Sequence, residues 1–153
     1  MKRSAGILLY KREPDGPRVL LAHPGGPFWR NKDAGAWSIP KGEIGEDEDP
    51  LAAARREFAE ETGATLDGDF IPLGEIAQKG GKRVSVFAQE RDLDPSTIVS
   101  NTFEIEWPPR SGRRQTFPEI DRAAWFDLDS AREKINAGQA ALIDRLRSAM
   151  ALE

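Results

Sequence analysis

The chain has 153 residues, 39% hydrophobic and 31% charged, with a net charge of −4, one histidine and no cysteine. That length suits one globular domain over residues 1–153, and the charge excludes the global basic field that drives sequence-independent binding to nucleic acid. Disulfides and thiolate metal sites are excluded too, so any metal must sit among carboxylates, His23 or backbone oxygens, which favours a hard cation.

The N-terminal MKRSAGILLY holds only a short apolar run, and no stretch approaches the roughly 20 apolar residues of a membrane span, so a soluble cytoplasmic protein with no membrane partner is expected. Ala5–Tyr10 (AGILLY) and Arg18–Ala22 (RVLLA) flank the turn-rich KREPDGP, which predicts a hairpin-like strand pair. HPGGPFWRNKDAGAW is dense in Gly and Pro and reads as an ordered surface loop leading to WSIP. His23, at its start, has no partner pattern for a triad or a zinc site and is expected to be an ordinary loop residue.

EDEDPLAAARREFAEETGA carries matched helix signals: Asp49 at the N-cap, Pro50 at the first helical position, alanines inside and Gly63 at the stop. FIPLGEIA, RVSVFAQE, TFEIEW and AAWFDL read as strands separated by QKGGK, RDLDPSTIVSN and PPRSGRRQTFPEID. SAREKINAGQAALIDRLRSAMALE reads as a short helix, a break near Gly138 and a longer helix whose Leu142, Leu146 and Met150 pack into a core. Strands before and after one central helix predict an α/β domain with a mixed sheet covered by helices.

RREFAEETG, Arg55 to Gly63, crowds Glu57, Glu60 and Glu61 into five residues. At about 100° per residue, with Glu57 at zero, Glu60 falls near 300° and Glu61 near 40°, so the carboxylates share one face. Leu51, Ala54 and Phe58 form a separate apolar stripe able to dock on a sheet. Like charges three and four apart cost roughly 0.2–0.5 kcal/mol per pair, and acids near a helix C-terminus oppose its dipole. A divalent cation relieves both penalties, and Arg56, beside Glu60, is placed to orient a carboxylate. Oxygen ligands without cysteine select Mg²⁺ or Mn²⁺, and Mg²⁺ characteristically bridges carboxylates to substrate phosphates.

Gly42–Ala64, GEIGEDEDPLAAARREFAEETGA, fits the pattern G-x5-E-x7-R-E-U-x-E-E-x-G-U, where U is bulky and apolar, and so resembles the Nudix box. Gly42, Glu48, Arg56, Glu57, Phe58, Glu60, Glu61 and Gly63 match; Ala64 is smaller than the usual final residue. WSIPKG before the box and AAWFDL before the last helices extend the likeness over most of the chain. The resemblance implies an α/β/α sandwich with a mixed sheet and hydrolysis of compounds in which a nucleoside diphosphate is linked to another moiety, by attack of water on phosphorus. It implies Mg²⁺ at Glu57, Glu60 and Glu61, with a main-chain oxygen around Lys41 and Gly42, Arg56 steadying a carboxylate and Glu48 at the edge of the site. The general base would come from the box, with Glu57 first, or from a later loop, where Glu119 is the candidate; Glu104 or Glu106 of TFEIEW is a further carboxylate that could reach the metals.

For the substrate, Lys41 beside the box is the best single candidate, with Lys79 and Lys82 in QKGGKR and Arg110 in RSGRR near turns where Gly lets the backbone approach a phosphate. Neither segment is a P-loop. Phe28, Trp29, Trp37 and Trp107 are candidates for stacking on a base. The expected function is Mg²⁺-dependent cleavage of a pyrophosphate bond in a nucleotide-type substrate, with a dinucleoside polyphosphate or nucleoside triphosphate placed ahead of a nucleoside diphosphate sugar such as ADP-ribose. The alternative is a sensor that binds a nucleotide or RNA without turnover. No stable nucleic-acid partner is expected, and a homodimer is left open.

Overall fold

The structure, a computed structural model, describes residues 2–150; Ala151–Glu153, the end of the last expected helix, lie outside the described residues. Its centre is β1 (Arg3–Glu13), buried without interruption from Ser4 to Tyr10 because both faces are covered. Alternation divides the strand: Ala5, Ile7 and Leu9 pack with Ala53, Ala54, Phe58 and Leu66, whereas Leu8 and Tyr10 pack with Trp37, Val84, Leu142 and Leu146 on the opposite side.

β2 (Gly16–Pro24) returns antiparallel to β1 after a two-residue turn at Pro14 and Asp15, with Glu13 facing Gly16. β5 (Lys82–Glu90) runs parallel to β1, and β4 (Ile71–Gln78) pairs antiparallel outside it. β8 (Ile120–Asp127) closes the other edge along β2, giving the mixed order β4-β5-β1-β2-β8, with β3 (Lys41–Glu43) paired to the first residues of β1. α1 (Pro50–Thr62) covers one face; α2 (Leu128–Lys134) and α3 (Ala141–Ala149) cover the other, which completes the expected α/β/α sandwich. Among the described residues no helix is long and apolar enough to cross a membrane.

α1 begins and ends as its sequence dictates. The Asp49 carboxylate accepts from the Ala52 N–H at 3.1 Å, and Gly63 takes a left-handed φ of 81° while its N–H donates to the Ala59 carbonyl at 2.8 Å. Ala53, Ala54 and Phe58 seat it on β1. Phe58 is fully buried there, so Phe58→Ala is expected to cost about 3–5 kcal/mol in urea unfolding; a loss under about 1 kcal/mol would mean the helix does not depend on that face.

Two strands were not expected. β3 is three residues long, too short to show alternation, and exists because β1 offers it a free edge. β7 (Arg114–Pro118) lies inside the basic, Pro-flanked segment read as a connection; it pairs with β6 (Thr102–Glu106) as a separate two-stranded sheet. The break at Gly138 is a 3₁₀ turn, Ala137–Gln139, after which Leu142 and Leu146 are fully buried and Met150 packs at the edge of the core.

Candidate active site

Pairing of Ser4, Ala5 and Gly6 with Glu43, Gly42 and Lys41 fixes β3 against α1. The approach is so close that a Cβ on Gly42 would lie 2.0 Å from the Glu57 carboxyl carbon. Only a hydrogen fits there, which is why the position is glycine although its φ is unexceptional.

Arg56 ties the β3–α1 loop to the helix. Its Nε and Nη2 donate to the two Glu48 oxygens at 2.9 Å each, Nη2 also to the Glu43 carbonyl at 3.0 Å, and Nη1 to Glu57 and Glu60 at 2.9 and 3.2 Å. These hydrogen bonds, joined by the Gly45 N–H, hold the Glu48 carboxyl down at about 2, and Glu48 chiefly raises the arginine's own pKa in return. Arg56 is thus a clamp whose five donors fit the fork geometry that lysine lacks.

On a helical wheel the glutamates have a face of their own beside the apolar stripe. In the structure the two interleave: the Glu57 side chain is only 15% exposed, between the helix and β3, while Glu60 is 44% exposed. Glu61 is drawn further inward, and its Oε2 is buried with no hydrogen-bond partner. Burial pushes its pKa up to about 8, helped by the neighbouring charges of Glu57 and Glu119 and opposed by Lys41. Burial also raises Glu57, and it lowers Lys41, which Glu61 and Glu57 partly hold charged.

Glu119 reaches this group through the main chain. Asn101 N–H donates to the Glu60 carbonyl and Asn101 C=O accepts from the Glu119 N–H, both at 2.9 Å, so the end of α1 sets the residue that leaves β7 for β8. Ser100 Oγ accepts from the Ile120 N–H at 3.0 Å and holds the same crossing. Sequence reading missed Ser100 and Asn101 because nothing local marks a residue whose task is to join segments about 20 and 40 positions away.

The groups able to hold a hard divalent cation are the carboxylates of Glu57, Glu60 and Glu61 and main-chain oxygens around Gly42. They fit one: an orphaned buried carboxylate oxygen, two carboxyls with raised pKa, and a glycine cradle kept open against Glu57 all favour added positive charge. Among the described residues no three acidic or histidine side chains already converge as a closed ligand shell, and Arg56 supplies the positive charge that holds Glu57 and Glu60.

Of the phosphate candidates, Lys41 lies within the carboxylate group, and Lys82 is close enough to add to the lowering of its pKa. Lys79 sits in the β4–β5 turn, and Arg110, at φ 63°, sits at the tip of the β6–β7 hairpin, where its N–H donates to Glu106 at 2.9 Å. Glu104 pairs with Arg114 on the outer hairpin face and takes no part in the carboxylate group. His23 is no loop residue: it is the penultimate residue of β2 and fully buried, with Nδ1 2.9 Å from Asp121 and Nε2 2.7 Å from the Lys32 carbonyl, and edge-on to the buried Trp37. Its partners lie nine and 98 residues away, so no sequence spacing could reveal them.

An α/β/α sandwich that presents a loop, a helix and an arginine-clamped carboxylate group is the architecture of a Nudix domain. The chain belongs to the Nudix family: the family model described as NUDIX domain matches residues 1–146. Its relatives include an octanoyltransferase from Myxococcus xanthus, 29% identical over 87% of this chain and 33% of that protein. An RNA pyrophosphohydrolase from Caulobacter vibrioides is 48% identical over 31% of this chain and 30% of that protein. The chain therefore spans about a third of the length of these curated relatives. Among solved structures, the Ap4A hydrolase of C. elegans superposes with a TM-score of 0.63 at 18% identity, covering 99% of this chain and 98% of that one, which is a likeness of fold.

Proposed function

We propose that the chain is a divalent-cation-dependent pyrophosphohydrolase that cleaves a P–O–P linkage in a nucleotide-type substrate, with Mg²⁺ or Mn²⁺ held by Glu57, Glu60, Glu61 and the main chain at Gly42. The observation that carries the proposal is Glu61: a buried carboxylate with an orphaned oxygen, pushed up to about 8 beside two further acids, is costly unless a cation completes it. The names of the Caulobacter and C. elegans proteins support a phosphate-anhydride substrate. A bound divalent cation supplies charge neutralisation of the phosphates and a more acidic attacking water.

The chain's own residues do the rest. Arg56 keeps Glu57 and Glu60 in place, and Gly42 leaves Glu57 its room. Lys41, whose charge burial disfavours and Glu61 and Glu57 partly restore, lies within the carboxylate group, where a phosphate oxygen would complete its pairing. A water oxygen forms the new bond to phosphorus as the bridging P–O bond breaks, and a carboxylate takes the water's proton. What supports giving that proton to Glu119 rather than to Glu57 is that the Glu119 side chain is exposed and has no hydrogen-bond partner among the described residues, whereas Glu57 is bound by Arg56.

The test is a panel assay with Mg²⁺: nucleoside triphosphates, dinucleoside polyphosphates, ADP-ribose and 5′-triphosphorylated RNA, with products identified. Turnover of at least one anhydride, abolished by chelation, is expected. Tight nucleotide binding with no turnover of any member would replace the hydrolase by a nucleotide sensor.

A further inference from the structure

The β6–β7 hairpin stands apart from the main sheet yet is rooted at the carboxylate group, because Asn101 at one foot is bonded to Glu60 and Glu119 is the other foot. Its faces differ. Glu104 and Glu106 point outward with Arg114, while Phe103, Ile105, Trp107 and Phe117 turn inward. The loop after β2 lies against that inner face: a Cβ on Gly26 would be 2.9 Å from the Phe103 ring, and Phe28 meets Trp107 edge-on at 5.3 Å between centroids.

The result is an aromatic rim that the fold does not use for its core. Phe28 is 60% exposed and Trp29 39%, the latter with the Lys32 ammonium 5.2 Å from its ring. Arg30 follows Trp29 in the chain, Arg113 accepts the Trp107 N–H on its carbonyl at 2.9 Å, and Arg110 lies at the hairpin tip; all three are exposed, and among the described residues their guanidinium groups make no hydrogen bond or ion pair. Elsewhere arginines at the surface are mostly spent on partners, as Arg12 is on Glu90, Arg91 on Asp67 and Arg132 on Asp144. Exposed rings flanked by unspent cations suit a ligand that is flat and aromatic at one end and anionic along its length.

From the foot of β6 to Trp107 the strand reaches about 17 Å, longer than one phosphate and its sugar and suited to a chain of several phosphates. We propose that this rim, Phe28, Trp29 and Trp107 with Arg30, Arg110 and Arg113, is a second nucleoside subsite that holds the far base of a dinucleoside polyphosphate while the carboxylate group works on the phosphates. The proposal rests on the hydrolase reading and narrows it to substrates with a base at each end. An RNA strand fits less well, since a continuous basic groove is what such a strand needs and Glu104 and Glu106 line the hairpin's outer face.

The test uses methylene-bridged analogues, which bind without turnover: those of diadenosine tetraphosphate and of ATP, with inorganic tripolyphosphate and a 5′-triphosphorylated dinucleotide as further probes. The wild-type protein is expected to bind the two-base analogue about tenfold or more tighter than the ATP analogue. In Phe28→Ser/Trp29→Ser, both changes at exposed rings, that preference should fall to near unity while tripolyphosphate affinity holds. Arg110→Glu/Arg113→Glu should weaken the two-base analogue and lower the salt dependence of its binding. Equal preference in wild type and ring variant overturns the subsite, as does tighter binding of the triphosphorylated dinucleotide, which would assign the rim to RNA. If the preference appears but the panel assay finds no hydrolysis, the subsite stands and the hydrolase reading falls.

Discussion

Glu61→Gln is expected to lower kcat/KM by about 10³-fold and, at the same time, to make the cation-free protein more stable. Both effects come from one carboxylate. Burial beside Glu57 and Glu119 moves its folded-state pKa from 4.5 to about 8, so between those values the folded chain keeps a proton that the unfolded chain has lost. Stability of the cation-free wild type should therefore decline as pH rises from about 4.5 to about 8 and level off above. Glutamine carries no such charge. At pH 8.5 the variant should gain on the order of 2–4 kcal/mol, or about 5–10 °C in Tm, and at pH 4.5 the gain should vanish. A variant less stable than wild type at both pH values would show that the carboxylate is satisfied as it stands. Such a result would remove the reason for placing a cation there.

Gly42→Ala separates the cradle from the fold. The added Cβ would meet the end of the Glu57 side chain at 2.0 Å rather than a backbone atom, so the chain can yield by swinging that carboxylate away. Thermal stability should change by less than about 1 kcal/mol, within the range of substitutions that leave the core intact. Cation affinity and kcat/KM should each fall about 10²-fold, because the displaced carboxylate also leaves the Arg56 donor that holds it at 2.9 Å. Measuring Tm and Mg²⁺-dependent turnover on the same preparation checks both. A large loss of stability with normal specific activity of the folded fraction would make Gly42 a packing glycine only.

What the residues made legible, and what they hid, divides by range. α1 could be read to its caps because Asp49, Pro50 and Gly63 each act within one turn of their own position. β1 and β2 were readable because short apolar runs around a turn have few other fates. β3 and β7 were not, since one owes its existence to the open edge of β1 and the other to pairing with β6 across a basic tip. The same limit applies at the site. The spacing of Glu57, Glu60 and Glu61 was visible, but their unequal burial was not, because it depends on β3 closing over Glu57 while Glu60 stays in solvent. Glu119 could be named as a candidate from its loop, yet its place beside Glu61 follows from Asn101, which carries no signal in the sequence.

Titration of Mg²⁺ into the cation-free protein at pH 7, followed by calorimetry in two buffers of different ionisation heat, tests the cation site most directly. A buried Glu61 that holds its proton up to about pH 8 predicts saturable binding with release of close to one proton, and loss of both in Glu61→Gln. No saturable binding up to millimolar Mg²⁺, or equal binding and proton release in the two proteins, would contradict it.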